Sequence, residues 1–342
     1  MLRFLSSLFS PAARPAGGLD QALIDAAIER AVDGTDRRLR AVRNYRKRLR
    51  DPVERAAIHV ISLVDSLPEP AEISQHAFST DCRVRAFFSS NEHLREVLGG
   101  FRELREYLAD CTGPIPDDIF GLLTMAMEER RVLGMELEGE VMRRDVLQVA
   151  VNFFNHRYLC PTATESDSRW ELKKRAFDFL VEKALEQLVE EKKHRSELDR
   201  QRHLLRQKLA AMKAGNWGLG SMFEVAGELQ PDIPALEAQV ESIDAELGQA
   251  GSGALGLEES LEHLIDTLGR PEDWLAGREI CLRLDHRGIK VSDTSSAPSR
   301  ELRLAELFTH TGLRRIVLLG RVPRAEIPGP SDFLKQARHY LA

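Results

Sequence analysis

The chain has 342 residues, 43% of them hydrophobic, with 54 acidic against 48 basic side chains and a formal charge of −6. The hydrophobic share excludes a wholly disordered chain, and the negative balance excludes a protein that coats nucleic acid over its whole surface while leaving room for a local basic patch. No apolar run approaches the roughly twenty residues of a membrane-spanning helix, and Cys82, Cys111, Cys160 and Cys281 stand too far apart for a zinc or redox motif, so they read as buried thiols in a reducing, cytoplasmic setting.

Residues 1–19 end in a Pro/Gly-rich linker and read as a flexible tail. The opening resembles the start of a signal peptide, but its apolar part is short and carries two serines, which favours a cytoplasmic protein. Leu2, Phe4, Leu5, Leu8 and Phe9 fall on one side of a short helix, enough for weak peripheral membrane contact and no more. Asp20 is a plausible N-cap for a helix from Gln21 to Val32. A second helix, after Gly34 and Asp36, opens on a basic run and ends in the apolar stretch Ala56 to Leu67, where Pro68 and Pro70 stop it. Further helices are expected over Val84 to Phe88, Glu92 to Ala109 and Asp117 to Arg131, making residues 20–131 a helical region.

The period changes at Met135. Met135, Leu137 and Val141 alternate with glutamates, and Leu147, Val149, Val151 and Phe153 repeat with period two, the pattern of a hairpin with one apolar face. Tyr158, Leu159 and Cys160 are expected to add a third short strand before Pro161, so residues 132–164 read as a small sheet. Glu136, Glu138 and Glu140 would lie about 7 Å apart on one strand face, a spacing that suits a solvated surface better than a cation site. His156 and Cys160 share a face of a regular strand about 13 Å apart, beyond hydrogen-bond reach for a nucleophilic pair.

From Glu165 to Met212 the chain has neither proline nor glycine and is dense in Glu, Lys, Arg, Leu and Ala, which predicts one long helix. After the break at Gly215 to Pro234, Leu236, Val240, Ile243 and Leu247 recur at alternating spacings of four and three. Residues 165–248 are therefore expected to form an antiparallel coiled-coil hairpin, with Leu205 and Leu209 near its tip. A Gly/Ala/Ser linker leads to residues 257–342, read as a C-terminal α+β unit. It holds a helix from Leu257 to Leu268, strands flanking a turn at Asp285 to Gly288, a strand or short helix at Leu302 and Leu304, a strand from Arg314 to Val322 and a closing helix from Ser331 to Leu341. The expected fold class is α+β, mainly helical, with a long coiled-coil hairpin and two small antiparallel sheets.

Two surfaces stand out as binding candidates. Trp217, Leu219, Met222 and Phe223 sit in a glycine-rich loop that lacks the Lys-Ser/Thr of a phosphate loop; with Leu205 and Leu209 they form an apolar patch suited to a protein partner. Arg37, Arg40, Arg43, Arg46, Lys47 and Arg50 form the densest basic run, suited to an anionic surface, although a solvated face opposing Asp33, Asp36, Asp51 and Glu54 accounts for the same residues. No catalytic, metal or cofactor set emerges from the spacings. The expected role is that of a non-enzymatic interaction or scaffold protein engaging a partner, or a second copy, through the coiled coil. Binding of nucleic acid or the inner membrane face through residues 37–50 ranks behind it.

Overall fold

The computed structural model describes residues 19–111, 115–138, 141–213, 233–249, 256–291 and 298–328. They divide into two compact units. One is drawn from the residues up to Ile24, Glu54–Asp178 and the chain from Arg270 on; the other from Asp25–Val53 and Phe179–Gly269.

The first unit is built on a sheet that the sequence conceals. The apolar run Ile119 to Met127, expected to be helical, is the start of strand β2 (Asp118–Glu138). Ile119, Leu123 and Met125 are buried in one cluster and Leu122 in another, so this strand is covered on both faces and loses the alternation that marks a strand. Strand β3 (Val141–Thr162) returns antiparallel to it, Leu133 lying opposite Leu147, in the hairpin that the alternation predicts. Beyond them lie β1 (Ala71–Glu72), β4 (Leu275–Leu284), β5 (Arg300–Thr309) and β6 (Arg314–Pro323). The strand order is β3-β2-β6-β5-β4, all antiparallel, with β1 added parallel to β6.

One expectation is corrected by the pairing of the strands. The two small sheets are one six-stranded sheet, because β2 offers its second edge to β6 and pairs from Asp118↔Pro323 to Met125↔Ile316. Strands that are distant in sequence thus satisfy each other's backbone groups within one ladder. The expected turn at Asp285 to Gly288 is present, and the residues after it pair on two sides: Lys290 bridges Leu284 of β4, and Ile289 bridges Ala150 of β3. This short segment joins the two ends of the strand order and curls the sheet toward closure.

The strand β3 keeps contact with β2 over its length through bulges. Register shifts fall beside Asn155 and Cys160, both in the left-handed region at φ 54°. The bulge at Asn155 shifts the inward positions from odd to even: Val151 and Phe153 share one core with Tyr158, and the shift at Cys160 then puts that residue in the opposite cluster with Leu122 and Leu319. Tyr158 lies across the directly paired Gly121 and Gly320; a Cβ on Gly121 would stand 2.5 Å from its ring, so both strands leave the notch open. Its hydroxyl lies 2.9 Å from the carbonyl oxygen of Ile119 and 3.0 Å from that of Gly320, so it has acceptors to donate to inside the core.

Short helices cover the face that holds Val151 and Phe153: α3 (Gln75–Thr80), α4 (Cys82–Phe87), α5 (Asn91–Gly100) and α6 (Arg102–Asp110) contribute Ala77, Phe87, Leu94, Leu98 and Leu104. The stretch expected as one helix over Glu92 to Ala109 is divided at Phe101, which is extended. On the opposite face Val64 and Leu67, at the end of α2 (Tyr45–Asp65), pack with Leu172 of α7 (Glu165–Lys213).

The second unit holds α1 (Gln21–Gly34) from Asp25 on, the 3-10 turn Arg37–Ala41, the start of α2, most of α7, α8 (Ile233–Gln249) and α9 (Gly256–Gly269). Leu39, Leu49, Leu180, Ala184, Leu261, Leu264 and Leu268 are fully buried. Arg48 of α2 ion-pairs with Glu258 and Glu262 on α9, and Thr267 of α9 donates to the Gln187 side chain at 2.8 Å. The long helix is present as expected, but the coiled-coil hairpin is not shown. Of the expected seam on α8, Leu247 is buried, whereas Leu236, Val240 and Ile243 are only half-buried. The two helices meet instead through charges: Lys213 with Glu237 at 2.6 Å, Arg206 with Asp244 at 2.6 Å and His194 with Glu246 at 3.1 Å. The polar positions Glu191, His194 and Gln201 on α7 interrupt the repeat that a continuous apolar seam requires.

No described helix is long and apolar enough to cross a membrane. The expected helix Ser331 to Leu341 and the segments 1–18 and 214–232 lie outside the described residues.

Candidate functional site

Where Lys290 and Ile289 bridge the ends of the sheet, a cavity of about 360 Å³ opens in the first unit. Three parts of the fold make its walls. Helix α4 supplies Cys82, Arg85, Ala86 and Phe87, followed by Phe88, Ser89 and His93 at the opening turn of α5. Strand β3 supplies Val151, Asn152 and Phe153; the third wall is the end of β4, its turn, and the start of β5.

Local sequence chemistry positions each wall. Asp81 caps α4 by accepting the Arg83 backbone N–H at 2.7 Å and also holds the Arg83 guanidinium at 2.7 Å. The next exposed arginine on this short helix, Arg85, lines the cavity and has no ion-pair partner among the described residues. In the β4 turn, the Asp285 carboxylate accepts the backbone N–H groups of Arg287 and Ile289, each at 2.8 Å, and the Arg287 guanidinium at 3.1 Å. Burial would raise its pKa, but these hydrogen bonds outweigh burial and hold it below the ordinary carboxylate value. Gly288 closes the turn at φ +78°, and a Cβ there would approach the Val151 carbonyl oxygen to 3.3 Å. Arg300, the first residue of β5, faces Leu284 across the ladder and is also without an ion-pair partner among the described residues.

The floor is apolar: Phe87, Phe153, Leu284 and Leu302 are buried, and the rings of Phe87 and Phe153 meet edge-on at 5.0 Å. Beside it His93 and His156 form an imidazole pair at 5.9 Å, with Phe88 stacked on His156 at 5.0 Å. The Ser89 backbone N–H reaches His93 Nδ1 at 3.2 Å, and His156 Nε2 lies 2.9 Å from the Phe87 carbonyl oxygen. The Phe87 carbonyl can only accept, which places a proton on His156 Nε2, while His93 Nδ1 accepts from Ser89. Burial lowers the His156 pKa below its usual value, His93 lowers it further, and the Phe87 hydrogen bond opposes both.

Three guanidinium groups therefore meet one carboxylate at this cavity, and the carboxylate is already engaged by Arg287. Its net charge is positive. No family model, curated protein or solved structure matches this chain. The cavity's chemistry has to be read from its own residues.

The residues singled out in the sequence lie elsewhere. Arg37 pairs with Asp33 at 3.3 Å; Arg40 reaches Glu29 at 2.8 Å and Asp33 at 3.0 Å; and Arg46 reaches Glu29 at 2.8 Å. Burial would raise the Glu29 pKa, but hydrogen bonds from Tyr45, Arg40 and Arg46 hold it below its usual value. Arg43, Lys47 and Arg50 are exposed and have no ion-pair partner among the described residues. Leu205 and Leu209 lie half-buried on α7; Trp217, Leu219, Met222 and Phe223 lie outside the described residues, as do the side chains of Glu136, Glu138 and Glu140. His156 and Cys160 do not form a pair: the Cys160 thiol is buried in the opposite cluster, where burial pushes its pKa up to about 12. Among the described residues no group of three or more His, Cys, Asp or Glu side chains is placed to hold a metal ion.

Proposed function

We propose that this protein binds a small anionic ligand in the cavity between α4, β3 and the β4–β5 end of the sheet. The observation that carries this reading is the presence of Arg85 and Arg300, two exposed cations on different walls of one cavity, beside an Asp285 already neutralised by Arg287. A guanidinium keeps its charge at any physiological pH and presents a planar fork to an oxyanion. A cavity of about 360 Å³ with an apolar floor and a polar rim matches small-molecule sites in both size and composition. Cys82, Cys111, Cys160 and Cys281 form no disulfide among the described residues, which fits a cytoplasmic setting.

The reading is tested by thermal unfolding at low salt against a panel of small carboxylates, sulfates and phosphates. A member that binds raises Tm further as its concentration climbs above its Kd, following the logarithm of one plus the ratio of free ligand concentration to Kd, and the rise disappears in Arg85→Glu and Arg300→Glu, both at exposed positions where charge reversal leaves the core intact. A panel without any such shift removes the proposal.

A second reading, an interaction protein, draws on the β2–β3 ribbon. Leu133, Leu147 and Met135 are 71%, 62% and 53% exposed there, an apolar surface that a protein partner would cover. The basic run at residues 37–50 keeps Arg43, Lys47 and Arg50 available for an anionic surface, but its other arginines would first have to leave their carboxylates.

A further inference from the structure

Resting on the anion-pocket reading, we infer that the ligand is a phosphomonoester: a terminal phosphoryl group at the cationic rim, joined to an organic body that packs on the apolar floor. The first step is charge. Asp285 spends its oxygens on the Arg287 guanidinium and on the N–H groups of Arg287 and Ile289, which leaves Arg85 and Arg300 as two positive charges without an ion-pair partner among the described residues. A carboxylate or a sulfate ester brings one negative charge to such a site. A phosphomonoester brings about 1.5 to 2 at pH 7 and three strong acceptor oxygens, which suit guanidinium forks.

The second step is the number of donors. Arg85, Arg287 and Arg300 all line the cavity, and each guanidinium carries several N–H donors. A dicarboxylate also carries two charges but holds them apart on separate carbons. A phosphoryl group gathers its charge and three acceptor oxygens around one phosphorus, which fits a cavity lined by three arginines.

The third step is the floor. Above the buried Phe153, Leu284 and Leu302, the half-buried Cys82 and Ala86 leave apolar lining open to a cavity of about 360 Å³, and inorganic phosphate alone would leave that lining without a partner. An ester whose body covers that lining removes apolar surface from water.

Titration calorimetry at pH 7.5 and low ionic strength, on the full chain, separates the alternatives with four probes: phenyl phosphate, phenyl sulfate, phthalate and inorganic phosphate. The expected result is phenyl phosphate binding at least tenfold more tightly than the other three, with at least a tenfold loss in Arg85→Glu and in Arg300→Glu. Phenyl sulfate or phthalate binding as tightly as phenyl phosphate overturns the phosphomonoester and leaves an anion pocket of another class. Inorganic phosphate binding as tightly assigns free phosphate and overturns the organic body. Failure of all four, with circular dichroism showing a folded chain, overturns both this inference and the anion-pocket reading.

Discussion

Single residues at the cavity carry a signature that follows from their surroundings. His156 is held below its usual pKa of 6.5 chiefly by burial, with His93 as the neighbouring ring that opposes a second positive charge. In the unfolded chain His156 takes up a proton near pH 6.5, whereas in the folded chain it stays neutral to lower pH. The unfolded state then binds more protons in that interval, and stability falls as pH drops from about 6.5 through the folded value. His156→Gln, which can still donate to the Phe87 carbonyl oxygen, should flatten that part of the curve of Tm against pH, and the imidazole of His156 should titrate below 6.5 by NMR. A His156 that titrates at or above 6.5 would contradict the account. Little of this is legible in sequence. His156 stands in a strand pattern whose parity changes at Asn155; an asparagine tolerates the left-handed region better than most residues, but its presence in a strand does not by itself fix a bulge there. The arginines of the pocket were equally hidden: Arg85 and Arg300 are isolated cations in segments distant in sequence, while the eye goes to the dense run at residues 37–50. The partners of that run, Glu29 and Glu258 among them, come from helices that are folded beside it.

Among the elements, α7 was the most legible and β2 the least. A stretch of helix-forming residues without proline or glycine dictates helix whatever it packs against. A strand buried on both faces loses its period, and its Leu, Met, Ala and Glu residues favour helix locally until β3 and β6 pair with it. The coiled-coil expectation failed at a different point, since spacing identifies a seam but not its burial. Because α8 is tied to α7 by exposed ion pairs, which are individually weak and screened by salt, its attachment should be sensitive to ionic strength. Asp244 accepts from both Arg202 and Arg206, at 3.4 and 2.6 Å. Asp244→Asn should speed amide hydrogen exchange in residues 233–249 at low salt, and 0.5 M NaCl should do the same to the unsubstituted protein. Exchange in α8 that ignores both changes would mean that its buried leucine, Leu247, holds it alone.

For the whole molecule, the connectivity decides what can be cut away. The first unit draws on three stretches of chain and the second on two, so neither ends where the other begins. A fragment ending at Asp178 would keep β1, β2 and β3 but lose β4, β5 and β6, leaving the edge of β2 that pairs with β6 open along its apolar half. It should be insoluble or lack a cooperative thermal transition by circular dichroism, and a soluble, cooperatively melting fragment would show that the sheet does not depend on its late strands. The same connectivity reaches into synthesis. Arg321 of β6, which pairs with Asp118 of β2, follows it by 203 residues. At roughly 5–20 residues per second a ribosome needs about 10–40 s to deliver it. For that interval the nascent chain displays an apolar strand edge with its mate not yet made, and a holding chaperone at the tunnel exit has a defined place to act.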